Sequence, residues 1–175
     1  MAHIYIALVD TPGFFAALIR RFLKQRYIHV VLGFDAIFAG FEREDKDKIL
    51  HTFPTAYYRI YELDCTDAQK RALQQRMQED YKKRFHIHYA VLGLPFILIN
   101  SPFYMYNQYT CSSYLARVLQ ENGIFIARKH FSLVTPKDFY AYQNMRVVFE
   151  GELSEIISEI SYKFPENVSG GSMCV

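Results

Sequence analysis

Four strand-length runs and three amphipathic stretches make this chain an α+β domain. Runs rich in β-branched and aromatic residues occupy 3–9, 27–34, 57–63 and 145–150. Stretches with apolar residues at helical spacing occupy 12–25, 66–84 and 111–121. Composition agrees: of 175 residues, 51% are hydrophobic and 17% aromatic, with 14 Tyr, 15 Phe and no Trp, which suits a core built partly on a sheet. This length supports one core, assigned to 1–164, and the Ser/Gly-rich end 165–175 is expected to be a disordered tail.

The first run, 3–9, reads as a strand, and Thr11-Pro12 then carries the cap-and-proline signature of a helix start. Phe15, Leu18, Ile19, Phe22 and Leu23 follow at i, i+3, i+4, i+7 and i+8, with Arg20, Arg21 and Lys24 on the other side, so this helix is expected to pack on the core. The strand at 27–34 is followed by the turn residue Asp35 and an apolar run at 36–41, which together predict a hairpin. The sign-alternating segment 42–48 reads as a solvated loop or frayed helix start and not as a binding patch. Thr66 with Gln69 forms a capping box ahead of a long, mostly exposed helix carrying Leu73, Met77 and Tyr81 on one narrow stripe. The stretch 85–110, interrupted by Gly93, Pro95 and Pro102, is expected to be a buried irregular connection or short helix. Cys111, Tyr114, Leu115, Val118 and Leu119 then repeat at helical spacing, with Thr110 or Tyr109 at the cap and Asn122-Gly123 as the stop. Thr135-Pro136 opens a short helix near 136–142, a strand follows at 145–150, and Leu153, Ile156, Ile157 and Ile160 form a last apolar stripe.

Several function classes drop out on composition. A net charge of +2 with no Lys/Arg-rich run gives no nucleic-acid footprint. The apolar run 4–9 lacks a basic leader, and 90–99 is ten residues broken by Gly93 and Pro95, far short of the roughly 20 a membrane span needs. No signal peptide or transmembrane segment is predicted, and three cysteines without metal spacing point to a reducing, cytoplasmic setting. His86 and His88 alternate with aromatic residues as if on one strand face, yet two ligands without a third make a poor zinc site. Neither a phosphate-cradling glycine loop nor a serine nucleophile elbow is present, and no cofactor is expected.

What remains is a thiol and an imidazole. Cys111 at a helix start has unsatisfied backbone N–H groups beside it, and an imidazolium nearby adds to their effect, which together lower a thiol's pKa by several units. His29, on its strand, is placed to ionise Cys111 and then to protonate a leaving group.

Three segments carry a resemblance: 29–35 (His-Val-Val-Leu-Gly-Phe-Asp), 109–116 (Tyr-Thr-Cys-Ser-Ser-Tyr-Leu-Ala) and 134–139 (Val-Thr-Pro-Lys-Asp-Phe). Over residues 3–151 the chain resembles the permuted papain-like NlpC-type superfamily, in which the histidine strand precedes the cysteine helix. That branch includes bacterial peptidoglycan-type amidohydrolases and peptidases, lipid hydrolases and lecithin retinol acyltransferase-like enzymes. The resemblance implies a papain-like antiparallel sheet packed on helices, with Cys111 as nucleophile and His29 as general base. It also implies a third polar residue on the following strand, for which Glu42 is the nearest candidate and Asp35 the other. The expected activity is hydrolysis of an amide in a peptide or peptidoglycan-like substrate through a thioester. Two alternatives stand beside it: a lipid acyl hydrolase or acyltransferase using the same pair, and a non-catalytic module with an incomplete triad.

Overall fold

The computed structural model describes residues 1–10, 14–34, 57–152 and Glu155. Its elements run in order as β1 (Ala2–Asp10), α1 (Phe14–Leu23), β2 (His29–Gly33), β3 (Tyr57–Cys65), α2 (Asp67–Lys82), β4 (His88–Tyr89), α3 (Leu94–Leu98), β5 (Gln108–Tyr109), α4 (Cys111–Glu121), α5 (Pro136–Ala141) and β6 (Arg146–Glu152). The predicted turn at Asp35, the run 36–41 with Glu42 beyond it, the helix start Thr11-Pro12, the stripe from Leu153 to Ile160 and the tail 165–175 all lie outside the described residues.

The main sheet is antiparallel throughout, in the order β2-β1-β3-β6. Its register explains the core. Leu8 pairs with Val30, Ile6 with Leu32 and Ile4 with Leu63, so these apolar side chains share one face. Leu73 and Met77 of α2, Leu115, Val118 and Leu119 of α4, and Phe139 of α5 cover that face and complete one cluster. Burying each such side chain contributes roughly 1.5–3 kcal/mol, which is why the helices stay docked despite short connections. The opposite face of the central strands is covered as well, since Ala7, Val9, Tyr58 and Ile60 are also buried. That matches the near-continuous apolar reading of β1.

Capping sets the helix starts. Thr66 Oγ1 accepts from the Gln69 N–H at 3.1 Å while Gln69 Oε1 accepts from the Thr66 N–H at 3.0 Å, the predicted box. Gly123, at φ 76°, ends α4 in the left-handed region where a side chain is strained.

Two expectations fail on burial. The stretch 85–110 is largely exposed rather than buried: Phe85 is 77% exposed, Ile99 71% and Tyr106 84%. It holds short helical turns and two two-residue strands, β4 and β5, paired in parallel. His86 lies in a helical turn and His88 in β4, so they do not share a strand face. On α1, Phe22 is 57% exposed, so the predicted stripe is not wholly turned to the core. Among the described residues no helix is long and apolar enough to cross a membrane.

Candidate active site at the start of the Cys111 helix

Thr110 decides where α4 begins. Its extended backbone and side chain make a second capping box: Thr110 Oγ1 accepts from the Ser113 N–H at 3.2 Å, and Ser113 Oγ accepts from the Thr110 N–H at 2.8 Å. Cys111 is therefore the first helical residue, and the N–H groups of Cys111 and Ser112 remain outside the helical ladder. Ser112, 3% exposed, donates its hydroxyl to the Val134 carbonyl at 2.7 Å. The segment 134–139 is thus anchored against the helix start. Its own residues are structural: Thr135 and Asp138 form the α5 cap, Asp138 pairs with Lys129 at 2.8 Å, and Phe139 is fully buried.

The Cys111 thiol lies against the backbone of the histidine strand, 3.8 Å from the Ile28 carbonyl, to which it donates. Cys111 and His29 both line one cleft of about 220 Å³, whose other walls include Val31, Met77, Ile87, Tyr89, Tyr114 and Leu115. In the sheet ladder His29 pairs with Val9 and Val30 with Leu8, so His29 alternates with the residues that pack on α4 and borders the cleft from the outer strand of the described sheet. Among the described residues no hydrogen bond reaches the His29 ring, from Cys111 or any other group.

Burial sets both protonation states. It pushes the Cys111 thiol up from its ordinary value, outweighing the pull of the N–H groups of Val30, Ser112 and Cys111 itself. It also pushes the His29 imidazole below 6.5. The expected depressed thiol and imidazolium are therefore corrected. At neutral pH the pair rests as neutral thiol and neutral imidazole, because the apolar walls desolvate each charged form more than the helix end compensates. A neutral imidazole retains its basic nitrogen.

Tyr89 and His88 also line this cleft, where the sequence suggested only a poor zinc pair at His86 and His88 and a region that could line an acyl pocket. Burial, with the nearby Cys111 adding to it, raises the Tyr89 hydroxyl to about 12, so it stays a proton donor at the cleft wall. The signal was the alternation of aromatic and histidine residues from 85 to 89, which has no strand period to interpret once the pairing is only two residues long. Tyr109 and Tyr114 bring hydroxyls that are already engaged: Tyr109 with Tyr104 at 2.9 Å and with Arg117, Tyr114 with Asp80 at 2.9 Å. Among the described residues that line the cleft there is no carboxylate, and Asp35 and Glu42 lie outside the described residues.

The one metal-capable trio among the described residues, His3, Glu62 and Asp64, is on the sheet. Its donors are engaged: His3 Nδ1 is 2.7 Å from Asp64, and Glu62 takes Tyr5 at 3.1 Å and Arg146. No family model, curated protein or solved structure matches the chain.

Proposed function

We propose that the chain is a cysteine hydrolase that transfers an acyl group to water through a thioester on Cys111. The observation that carries this reading is the cleft shared by Cys111 and His29, with the thiol at the first residue of a capped helix. As the sulfur attacks a carbonyl carbon, the thiol proton passes to His29 and the C–S bond forms. The oxyanion that results accepts from the N–H groups of Cys111 and Ser112, which the helix leaves free. Collapse of this intermediate breaks the bond to the leaving group, which takes the proton back from His29. Water, deprotonated by His29, then cleaves the thioester and restores the thiol.

The resemblance to NlpC-type enzymes puts a peptide or peptidoglycan-like amide first among substrates. The cleft walls favour the lipid acyl ester reading as a second, because Val30, Val31, Leu32, Met77 and Leu115 offer an acyl chain apolar contact and no pairing for a charged peptide. Turnover of short peptide amides and of acyl esters, each with a Cys111→Ala control, separates the readings. Loss of a rate on the order of 10⁴-fold or more in Cys111→Ala is expected for whichever substrate is real. Turnover that survives in Cys111→Ala overturns the reading, and no turnover of either class leaves the non-catalytic module in its place.

A further inference from the structure

A second cleft, of about 240 Å³, is lined by four cationic side chains, Lys24, Arg26, Arg59 and Lys137, and by one carboxylate, Glu150. Glu150 pairs with Arg59 at 3.1 Å. Arg26 reaches Asp10 at 3.6 Å and lies over the Tyr57 ring at 4.2 Å. Among the described residues neither Lys24 nor Lys137 has an ion-pair partner. With Glu150 on Arg59 and Asp10 on Arg26, two of the four positive charges are paired, and the two lysines bring charge to the cleft that no anion among the described residues balances.

The backbone adds an independent observation. Lys24 sits at φ 50°, in the left-handed region, immediately after α1, where glycine or asparagine is the unstrained choice. A lysine held there places an ammonium on the cleft at the expense of local strain. Two donors of the lining side chains, Gln25 Nε2 and Arg59 Nε, are buried without partners. The Gln25 amide is already oriented, because its Oε1 accepts from the Lys137 N–H at 3.2 Å. That hydrogen bond also ties α5 to the loop that carries Lys24.

We infer that this cleft binds a phosphate-bearing anion. A phosphate carries up to two negative charges and three or four acceptor oxygens, and it matches both the point charge of lysine and the planar fork of arginine. A carboxylate has one charge and two oxygens, which leaves one of the two lysines, Lys24 and Lys137, without a counter-charge. The paired rings of Tyr27 and Tyr140, with centroids 5.9 Å apart, form a wall for whatever organic group the phosphate is attached to. The source is either a soluble phosphoester or a phospholipid headgroup, which present the same chemistry to the cleft.

The test is a titration of the full chain with inorganic phosphate, followed by NMR at an ionic strength held constant with chloride, with acetate as a parallel titrant. Saturable shifts at the Gln25 side-chain amide and the Arg59 Nε–H are expected, together with about a tenfold weaker affinity in the Lys24→Gly/Lys137→Gln variant. Glycine suits the left-handed backbone at position 24, so this variant keeps its melting temperature and lost binding is not lost fold. Shifts no larger than those with chloride or acetate, or an affinity that the variant leaves unchanged, overturn the inference. Co-sedimentation with phosphatidylcholine vesicles doped with phosphatidate, lost in the variant, assigns the source to a lipid headgroup; binding of phosphate without co-sedimentation assigns it to a soluble phosphoester. Neither lysine borders the Cys111 cleft, so the titration stands or falls independently of hydrolysis.

Discussion

Cys111 and His29 show how burial overrides local chemistry. A helix start alone pulls a thiol down, but desolvation of Cys111 and His29 is the larger effect on each group. Alkylation of Cys111 by iodoacetamide is therefore expected to be slow near neutral pH and to rise with a midpoint above 9.0, the ordinary thiol value. Mass mapping across pH checks this, and a midpoint below 9.0 contradicts it. His29 makes a matching stability prediction. Its folded pKa lies below its unfolded value of 6.5, so the unfolded chain binds more protons in the window between them. Stability is full above pH 6.5 and falls as pH drops through 6.5 towards the folded value. Chemical denaturation of the parent chain and His29→Gln is expected to show this loss in the parent alone.

At the scale of elements, the start of α4 is held twice: by the Thr110–Ser113 box and by the Ser112 hydroxyl on the Val134 carbonyl. Ser112→Ala leaves that carbonyl without its partner in a buried setting and is expected to cost about 1–3 kcal/mol. Thr110→Ala removes one cap acceptor and is expected to cost about 1 kcal/mol. Urea denaturation measures both, and a Ser112→Ala chain as stable as the parent contradicts the anchoring role. The same elements show what was legible. Thr66 with Gln69, the helical spacing from Cys111 to Leu119, and Asn122-Gly123 as a stop were readable because each is a local pattern. The Thr110–Ser113 box was not, since serine replaces the usual Glu or Gln at its third position. In the stretch 85–110 the irregular course with a short helix was legible, but its exposure was not, because Gly93, Pro95 and Pro102 erase any period. What orders it is the tertiary pairing of His88 with Gln108 and of Tyr89 with Tyr109, each across nineteen intervening residues.

Across the whole molecule, the α+β class was legible because alternation and helical spacing are properties of the chain itself, and the antiparallel sheet with helices packed on one face agrees with it. Burial depth is a property of the assembled fold. It left Phe22 exposed and made Cys111 a resting thiol. It also left a cationic cleft whose residues, Lys24, Arg59 and Lys137, are too far apart in sequence to read as a patch. The central claim, acyl transfer through Cys111, is tested most directly by mixing the full chain with an activated acyl ester, quenching in acid and locating the acyl group by mass spectrometry. A thioester on Cys111, formed many times more slowly in His29→Ala and absent from Cys65, is the predicted result. No acyl group on Cys111, or labelling of Cys111 at the same rate in His29→Ala, contradicts the account.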